Sequence, residues 1–454
     1  MCAVSSHPDA ANLVYLGLYA LQHRGQESAG IASFDGREMV CHKAMGHVAE
    51  IFDRNALASL PGSAAIGHVR YSTAGDSALI NAQPVVAKTH RGHLALAHNG
   101  NLVNANRLRA KLEREGAIFQ STSDSEVFLH LLARSRSGDL DGALTESLDA
   151  AVGAYSLAIL CNGRLFAARD PHGFRPLALG RRDETWVVAS ESCAFDLLGA
   201  RFVREVAPGE VLELEGERPR VLRAGGRGPF AQCVFEHVYF ARPDSRIFGE
   251  DVSPVRERFG RQLAREHPVE AGVVVAVPDS GVSAALGFSR ESGLPFALGL
   301  VRNHYVGRTF IEPRQSIRYF GVKVKLNPVR AVVAGKCVVL VDDSIVRGTT
   351  SRKIVMMLKG AGASAVHLRI SSPPTRNPCF YGIDTPERRE LIASAHGTEE
   401  IRAFIGADSL GYLSEAGMLA CLETPAEHFC TACFSGRYRV VDGDEAAPFA
   451  REDR

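Results

Sequence analysis

The sequence predicts two unlike folding units in tandem, an α+β unit in the first half and an α/β unit with a buried parallel sheet in the second. Three observations carry this. The 454 residues exceed the roughly 250–300 that one hydrophobic core organises. The first half is a series of short β-rich segments separated by Gly, Asn and Asp, whereas the second holds continuous apolar runs, each followed by a helical pattern. Between them "LRAGGRGPFAQ" loses all periodicity and collects glycine, which sets a boundary near residues 225–232.

Taken in order, "AAIGHVRYS", "GHLALAHNG", "AYSLAILCNGRLFAARD" and "ETWVVAS" read as strands bounded by turn residues. Two helices interrupt them. "NANRLRAKLEREG" has helical spacing and stops at Gly116, and "DSEVFLHLLARSRSG" opens on an acidic turn and stops at Gly138. Beyond the boundary, "EAGVVVAVPDSG" and "GKCVVLVDDSIVRGTT" are apolar strands that run into the helical patterns "VSAALGFSRESG" and "TSRKIVMMLKGAG", and "AVHLRISSPP" is a third strand. The expected units are residues 1–228 and 229–440, with 441–454 as a charged, aperiodic tail.

Bulk composition excludes more than it assigns. With 46% hydrophobic and 23% charged residues and a formal net charge of +1, the chain has no general pull toward nucleic acid or anionic membrane. It shows no secretory pattern and no stretch near the roughly 18 apolar residues of a membrane span, so a cytoplasmic protein is expected. In that reducing setting ten cysteines point to metal or catalysis rather than to a disulfide framework.

"VVLVDDSIVRGTT" is the most informative stretch. A hydrophobic strand stops at Asp342 and Asp343, and Ser344, Gly348, Thr349 and Thr350 lead into a helix. Ligands of open α/β sheets bind beyond the carboxyl ends of strands, and glycine, hydroxyls and a helix N-terminus suit phosphate. Two carboxylates there would repel a phosphate unless they hold ribose hydroxyls or Mg²⁺. The alternative is an Asp-Asp turn that merely caps the helix.

The stretch resembles the 5-phosphoribosyl-1-pyrophosphate (PRPP) signature of type I phosphoribosyltransferases. The resemblance implies a doubly wound parallel sheet, with Ser280 and Gly281 of "VVVAVPDSGVSAA" at the neighbouring strand end and Ser280, Asp342 and Asp343 around the Mg²⁺. The basic segment "RNHYVGRTFIEPRQSIRYFGVKVKLNPVR" is similar to the loop that closes over PRPP in one branch of that superfamily.

In the first half "LQHRGQESAGI", "GHVRYSTAG", "AHNGNL" and "TSDSE" resemble the glutaminase domain of the N-terminal-nucleophile amidotransferases, a four-layer αββα sandwich. The two halves together resemble the amidophosphoribosyltransferase family, iron–sulfur branch. The resemblance implies that Asn99 and the N–H of Gly100 form an oxyanion hole, that Arg70 and Asp124 match the carboxylate and ammonium of glutamine, and that Arg24 supports the site. It also implies glutamine and PRPP as substrates, purine nucleotides as inhibitors and a homo-oligomer.

Cys2, a candidate nucleophile that would carry its own α-amine as base once Met1 is removed, does not fit that pattern. The family's cysteine stands eight residues before the histidine of its His-Pro pair, and Cys2 stands five before His7. In this register Cys2 falls inside the first strand and the nucleophile position precedes Met1, so a chain starting upstream of Met1 is expected.

Cys430 and Cys433 form C-x-x-C, a spacing that lets two thiolates share one metal centre. With Cys233 and Cys379 they occupy segments that resemble the [4Fe–4S] positions of the family's cluster branch; a Cys₄ zinc site is the alternative. The reading is therefore an enzyme that makes 5-phosphoribosylamine from glutamine, PRPP and water at the start of purine biosynthesis. An ammonia-only synthase with a dead glutaminase, or a non-catalytic nucleotide sensor on the same fold, remain as alternatives.

Overall fold

The computed structural model describes residues 1–71, 76–226, 228–303 and 326–441. Most of the basic segment expected to close over PRPP, and the tail beyond Val441, lie outside the described residues.

Two antiparallel sheets stack face to face in the first half. One has seven strands in the spatial order Arg201–Glu205, Ala178–Arg182, Thr185–Ala189, Cys2–Val4, Ala64–Arg70, Ser28–Phe34 and Met39–Met45. The other has six, with Gly92–Leu102, Gly153–Cys161 and Arg164–Arg169 adjacent in its middle. Small apolar residues at alternate positions, among them Ala3, Ile66, Ala95, Ala97, Ala158 and Val188, fill the space between the sheets. Opposite faces carry the helices: Ala10–Ala20 and Cys193–Leu198 cover the first sheet, and Ser125–Arg134 and Leu140–Ala150 cover the second. This is the four-layer αββα sandwich that the motifs implied.

The second half is a parallel sheet in the order Val273–Ala276, Cys337–Asp342, Ala365–Ile370 and Ser409–Tyr412. Period-two alternation divides its side chains: Val274, Ala276, Val339 and Val341 face helices Val252–Glu266 and Val282–Ser292. Val273, Val275, Val338 and Leu340 face helices Thr349–Gly360 and Thr398–Ile405 on the other side. After helix Val282–Ser292 the chain bridges to the outer side of the first strand at Phe296, then returns to its inner side at Cys337. The strand order therefore reverses between Val273–Ala276 and Cys337–Asp342, which puts the ligand crevice at their carboxyl ends.

The halves are joined by side chains of high stake. Glu236, fully buried, pairs with Arg24 at 2.6 Å and with Arg175 at 2.7 Å. The rings of Phe174 and Tyr381 stack at 4.0 Å, beside Val103 and Ala154.

Candidate active site

A cavity lies where the sandwich meets the second half, lined by Arg70, Asn99, Gly100, Asp124, Phe240 and Asp384 among others. The Asn99 amide nitrogen is buried and has no hydrogen-bond partner among the described residues. A buried donor left open costs about 1–3 kcal/mol, so this one is poised for a ligand. Gly100 is confined by its neighbours: a Cβ there would lie 2.1 Å from the Ala154 carbonyl oxygen, and its φ is +152°. Asp124 accepts the Leu102 N–H at 2.9 Å and stands 3.7 Å from the His98 Nδ1. Arg70 is 3% exposed and feels the charges of Glu27 and Asp124. Cation, anion and an open amide donor thus line one cavity.

Two expected members sit differently. Arg24 reaches the cavity wall, but its guanidinium is taken by Glu191 and Glu236. Burial pushes the Glu191 carboxyl up, and the Arg24 and His23 charges more than offset this, holding it well below the usual range. Arg24 is therefore not a free donor toward the cavity. Cys2 is a clearer departure. Its strand pairs on both sides, with Gly67 and Ala189 opposite it, and its thiol turns into the outer helical layer against Gly17. There it is fully buried, and burial pushes its pKa up to about 12. The residue that lines the cavity is Met1, whose N-terminal amine donates to Ser190 Oγ at 3.0 Å.

Sequence reading missed the cavity residues from the second half. Phe240 belongs to a π-helical turn, Glu236–Phe240, and lies under the Arg24 guanidinium at 4.5 Å. Asp384 accepts a hydrogen bond from Tyr71, and Asn101 donates to the Phe380 carbonyl at 3.0 Å. No local signal marks these positions, because only the docking of the halves brings them to the cavity.

At the crevice of the parallel sheet Asp342 and Asp343 are 8% and 6% exposed. Burial raises the pKa of each; the neighbouring carboxylate raises Asp342 further, and hydrogen bonds from Ser280 and Ser344 pull Asp343 back in part. Ser280, from the adjacent strand end, therefore reaches the same carboxylate. Gly281 is required there, since a Cβ would lie 2.6 Å from the Val341 carbonyl oxygen. Gly348, with φ +73°, opens the helix on which Thr349 and Thr350 stand exposed.

The four cysteines converge from distant segments. Cys233 and Cys430 are direct neighbours in a two-stranded parallel ladder, and Cys379 and Cys433 lie close enough to perturb both electrostatically. Backbone N–H groups of Tyr381, Gly382 and Ile383 aim at the Cys379 sulfur. Among the described residues no group of His, Cys, Asp or Glu is arranged to hold a single metal ion.

Known proteins agree with this geometry over nearly the whole chain. Amidophosphoribosyltransferase of Bacillus subtilis is 48% identical over 452 residues, covering 98% of this chain and 95% of that one. The chain belongs to the amidophosphoribosyltransferase family. It is accordingly a glutamine-dependent phosphoribosyltransferase, an enzyme of the first step of purine biosynthesis. The Mycobacterium tuberculosis amidophosphoribosyltransferase is 50% identical over 444 residues, 95% of this chain and 84% of that protein, and a chloroplastic one from Arabidopsis thaliana is 52% identical over 435 residues, 95% and 77%. Residues 68–196 match the glutamine amidotransferase domain family. The solved glutamine PRPP amidotransferase of B. subtilis complexed with ADP and GMP superposes with a TM-score of 0.91 at 47% identity, over 98% of each chain. No helix among the described residues is long and apolar enough to cross a membrane.

Proposed function

We propose that residues 1–228 hydrolyse glutamine at the Asn99 cavity and residues 229–440 transfer the ammonia to C1 of PRPP at the Asp342–Asp343 crevice. The single observation that carries this is the open Asn99 donor in a cavity that Arg70 and Asp124 also line. A thiolate attacks the glutamine amide carbon, and Asn99 and the Gly100 N–H hold the oxyanion. Ammonia leaves, and water releases glutamate from the thioester. At the crevice ammonia forms the bond to C1 as pyrophosphate departs. Ser344, Gly348, Thr349 and Thr350 hold the phosphate, and Asp342, Asp343 and Ser280 hold the ribose hydroxyls and Mg²⁺. Two buried carboxyls with raised pKa values are a donor set that a divalent cation would relieve, and the ion would neutralise charge on the leaving pyrophosphate.

The thiol is not that of Cys2, which faces the other side of its strand. Met1, not Cys2, lines the cavity beside Asn99 and Gly100. Assaying phosphoribosylamine with ammonia and then with glutamine tests the reading: product with neither nitrogen source would leave only a sensor.

Cys233, Cys379, Cys430 and Cys433 suit a [4Fe–4S] cluster of structural role. Support comes from four converging, largely buried thiols whose pKa values burial raises, and from the three N–H groups aimed at Cys379. The anaerobically purified protein should be brown with iron and sulfide, and Cys430→Ser should lose both; a colourless protein with one zinc would select the alternative. We further propose that purine nucleotides inhibit the enzyme, a reading supported by the ADP and GMP in the solved B. subtilis complex, and that it works as a cytoplasmic homo-oligomer.

A further inference from the structure

Glu191 is fully buried at the junction of the two halves, and its two carboxylate oxygens divide between them. Oε1 accepts from the first half, from His23 Nε2 at 2.6 Å and from Arg24 Nη1. Oε2 accepts from the second half, from the Arg242 N–H at 2.8 Å and from Ser245 Oγ at 2.6 Å. Residues 242–245 are fixed to the body of that half, because the carbonyls of Ser245 and Pro243 accept the Val252 and Ser253 N–H groups that open helix Val252–Glu266. On the first side, Arg24 lines the glutamine cavity and ends the turn Gln22–Arg24. The chain after it is seated on the cavity's cation: a Cβ on Gly25 would lie 2.6 Å from the carbonyl carbon of Arg70, and the Glu27 N–H donates to the Arg70 carbonyl at 3.1 Å. A shift of this turn therefore carries Arg70 with it.

We propose that Glu191 is a positioning residue for glutamine binding, a carboxylate clamp through which residues 242–245 of the second half fix the Arg24 turn and so the placement of Arg70. The inference rests on the reading of the Asn99 cavity as the glutamine site. An ionised carboxylate is acceptor-only, with about four lone-pair sites, and donors from both halves converge on this one. An amide in its place would set an N–H against those donors and remove the charge that holds Arg24. Two parallel contacts keep the halves docked without the clamp: Arg242 Nη1 donates to the Ala20 carbonyl at 3.1 Å, and the Arg246 N–H to Ser192 Oγ at 2.7 Å. Glu191 touches no reacting atom. Its loss should weaken glutamine binding and leave the PRPP crevice as it is.

The full chain should be made with Glu191→Gln, with Ser245→Ala and with both, reading glutamine affinity by calorimetric titration and the PRPP KM in ammonia-dependent synthesis. Glu191→Gln should weaken glutamine binding about tenfold, the scale of a lost charge-assisted hydrogen bond, and Ser245→Ala, which cuts the clamp from the second half, about fivefold. Because both act through one carboxylate, the double variant should weaken binding about tenfold rather than about fiftyfold, with the PRPP KM within about twofold throughout. Full multiplication in the double variant, wild-type glutamine affinity in either single variant, or a PRPP KM that rises in parallel overturns the proposal. Should Glu191→Gln fail to fold, Ser245→Ala decides alone: weaker glutamine binding beside an unchanged PRPP KM supports the clamp, and wild-type binding removes it. Asp124→Asn separates the two readings. Unchanged glutamine affinity there removes the cavity assignment, whereas lost affinity there beside wild-type binding in Glu191→Gln and Ser245→Ala removes only the role of Glu191.

Discussion

Replacing Asp342 and Asp343 together by Asn is expected to lower PRPP affinity on the order of a thousandfold, as for two lost charge-assisted contacts, while leaving the ligand-free protein at least as stable. The two halves of that expectation come from the same observation. Burial raises both carboxyl pKa values, and the adjacent charge raises Asp342 further, so ionising the pair costs folding free energy. The sign follows from linkage: a folded pKa above the unfolded one leaves native stability highest at low pH and erodes it as pH rises through the carboxyl range. Asn removes that cost and keeps the shape. Calorimetric titration of PRPP with Mg²⁺, alongside thermal melts at neutral pH, would check both halves. Undiminished PRPP affinity would take the crevice away from these residues, and a large fall in melting temperature would make the pair a structural element.

The crevice was legible because its parts are local. The apolar run Val338–Val341, the two aspartates and the helix after Gly348 are contiguous, so their order alone places carboxylates and hydroxyls at a strand end. The sandwich strands were legible for the same reason: turn residues bound each apolar run, and Gly92–Leu102 and Gly153–Cys161 form where those runs stand. Helices were harder. Ala10–Ala20 is apolar nearly all round because it is buried between strand and neighbouring helix, and Leu140–Ala150 carries Gly142 and two Asp among its apolar positions, so neither shows a clean stripe. Least legible was the wall contributed by Phe240 and Asp384, whose place depends on docking. Arg24 illustrates the limit: its motif marks a site, but only the buried carboxylates Glu191 and Glu236 show that its donors are already committed.

Cys2→Ala is expected to leave phosphoribosylamine synthesis from either nitrogen source unchanged, since the thiol packs on Gly17 and never reaches the cavity. Its strand cannot slide to bring it there. Met1, Cys2, Ala3 and Val4 are all buried, Cys2–Val4 have ladder partners on both sides, and a slide by three residues would turn every side chain to the opposite face. It would also carry Ser5 and Ser6 toward positions now filled by apolar groups, at about 1–3 kcal/mol for each polar group left unpaired. The opposite manipulation should have a large effect. Placing Cys-Gly ahead of Met1, with that cysteine exposed as the N-terminus, sets a thiol eight residues before His7, on the side where Met1 now walls the cavity. Glutamine-dependent synthesis should then rise by about two to four orders of magnitude over the unextended chain, the scale of one positioned catalytic group, and should become sensitive to thiol-reactive glutamine analogues. Ammonia-dependent synthesis should not move, because the crevice is untouched. If Cys2→Ala alone abolishes glutamine use, the thiol in the helical layer is the nucleophile and the strand register in solution differs from the one described.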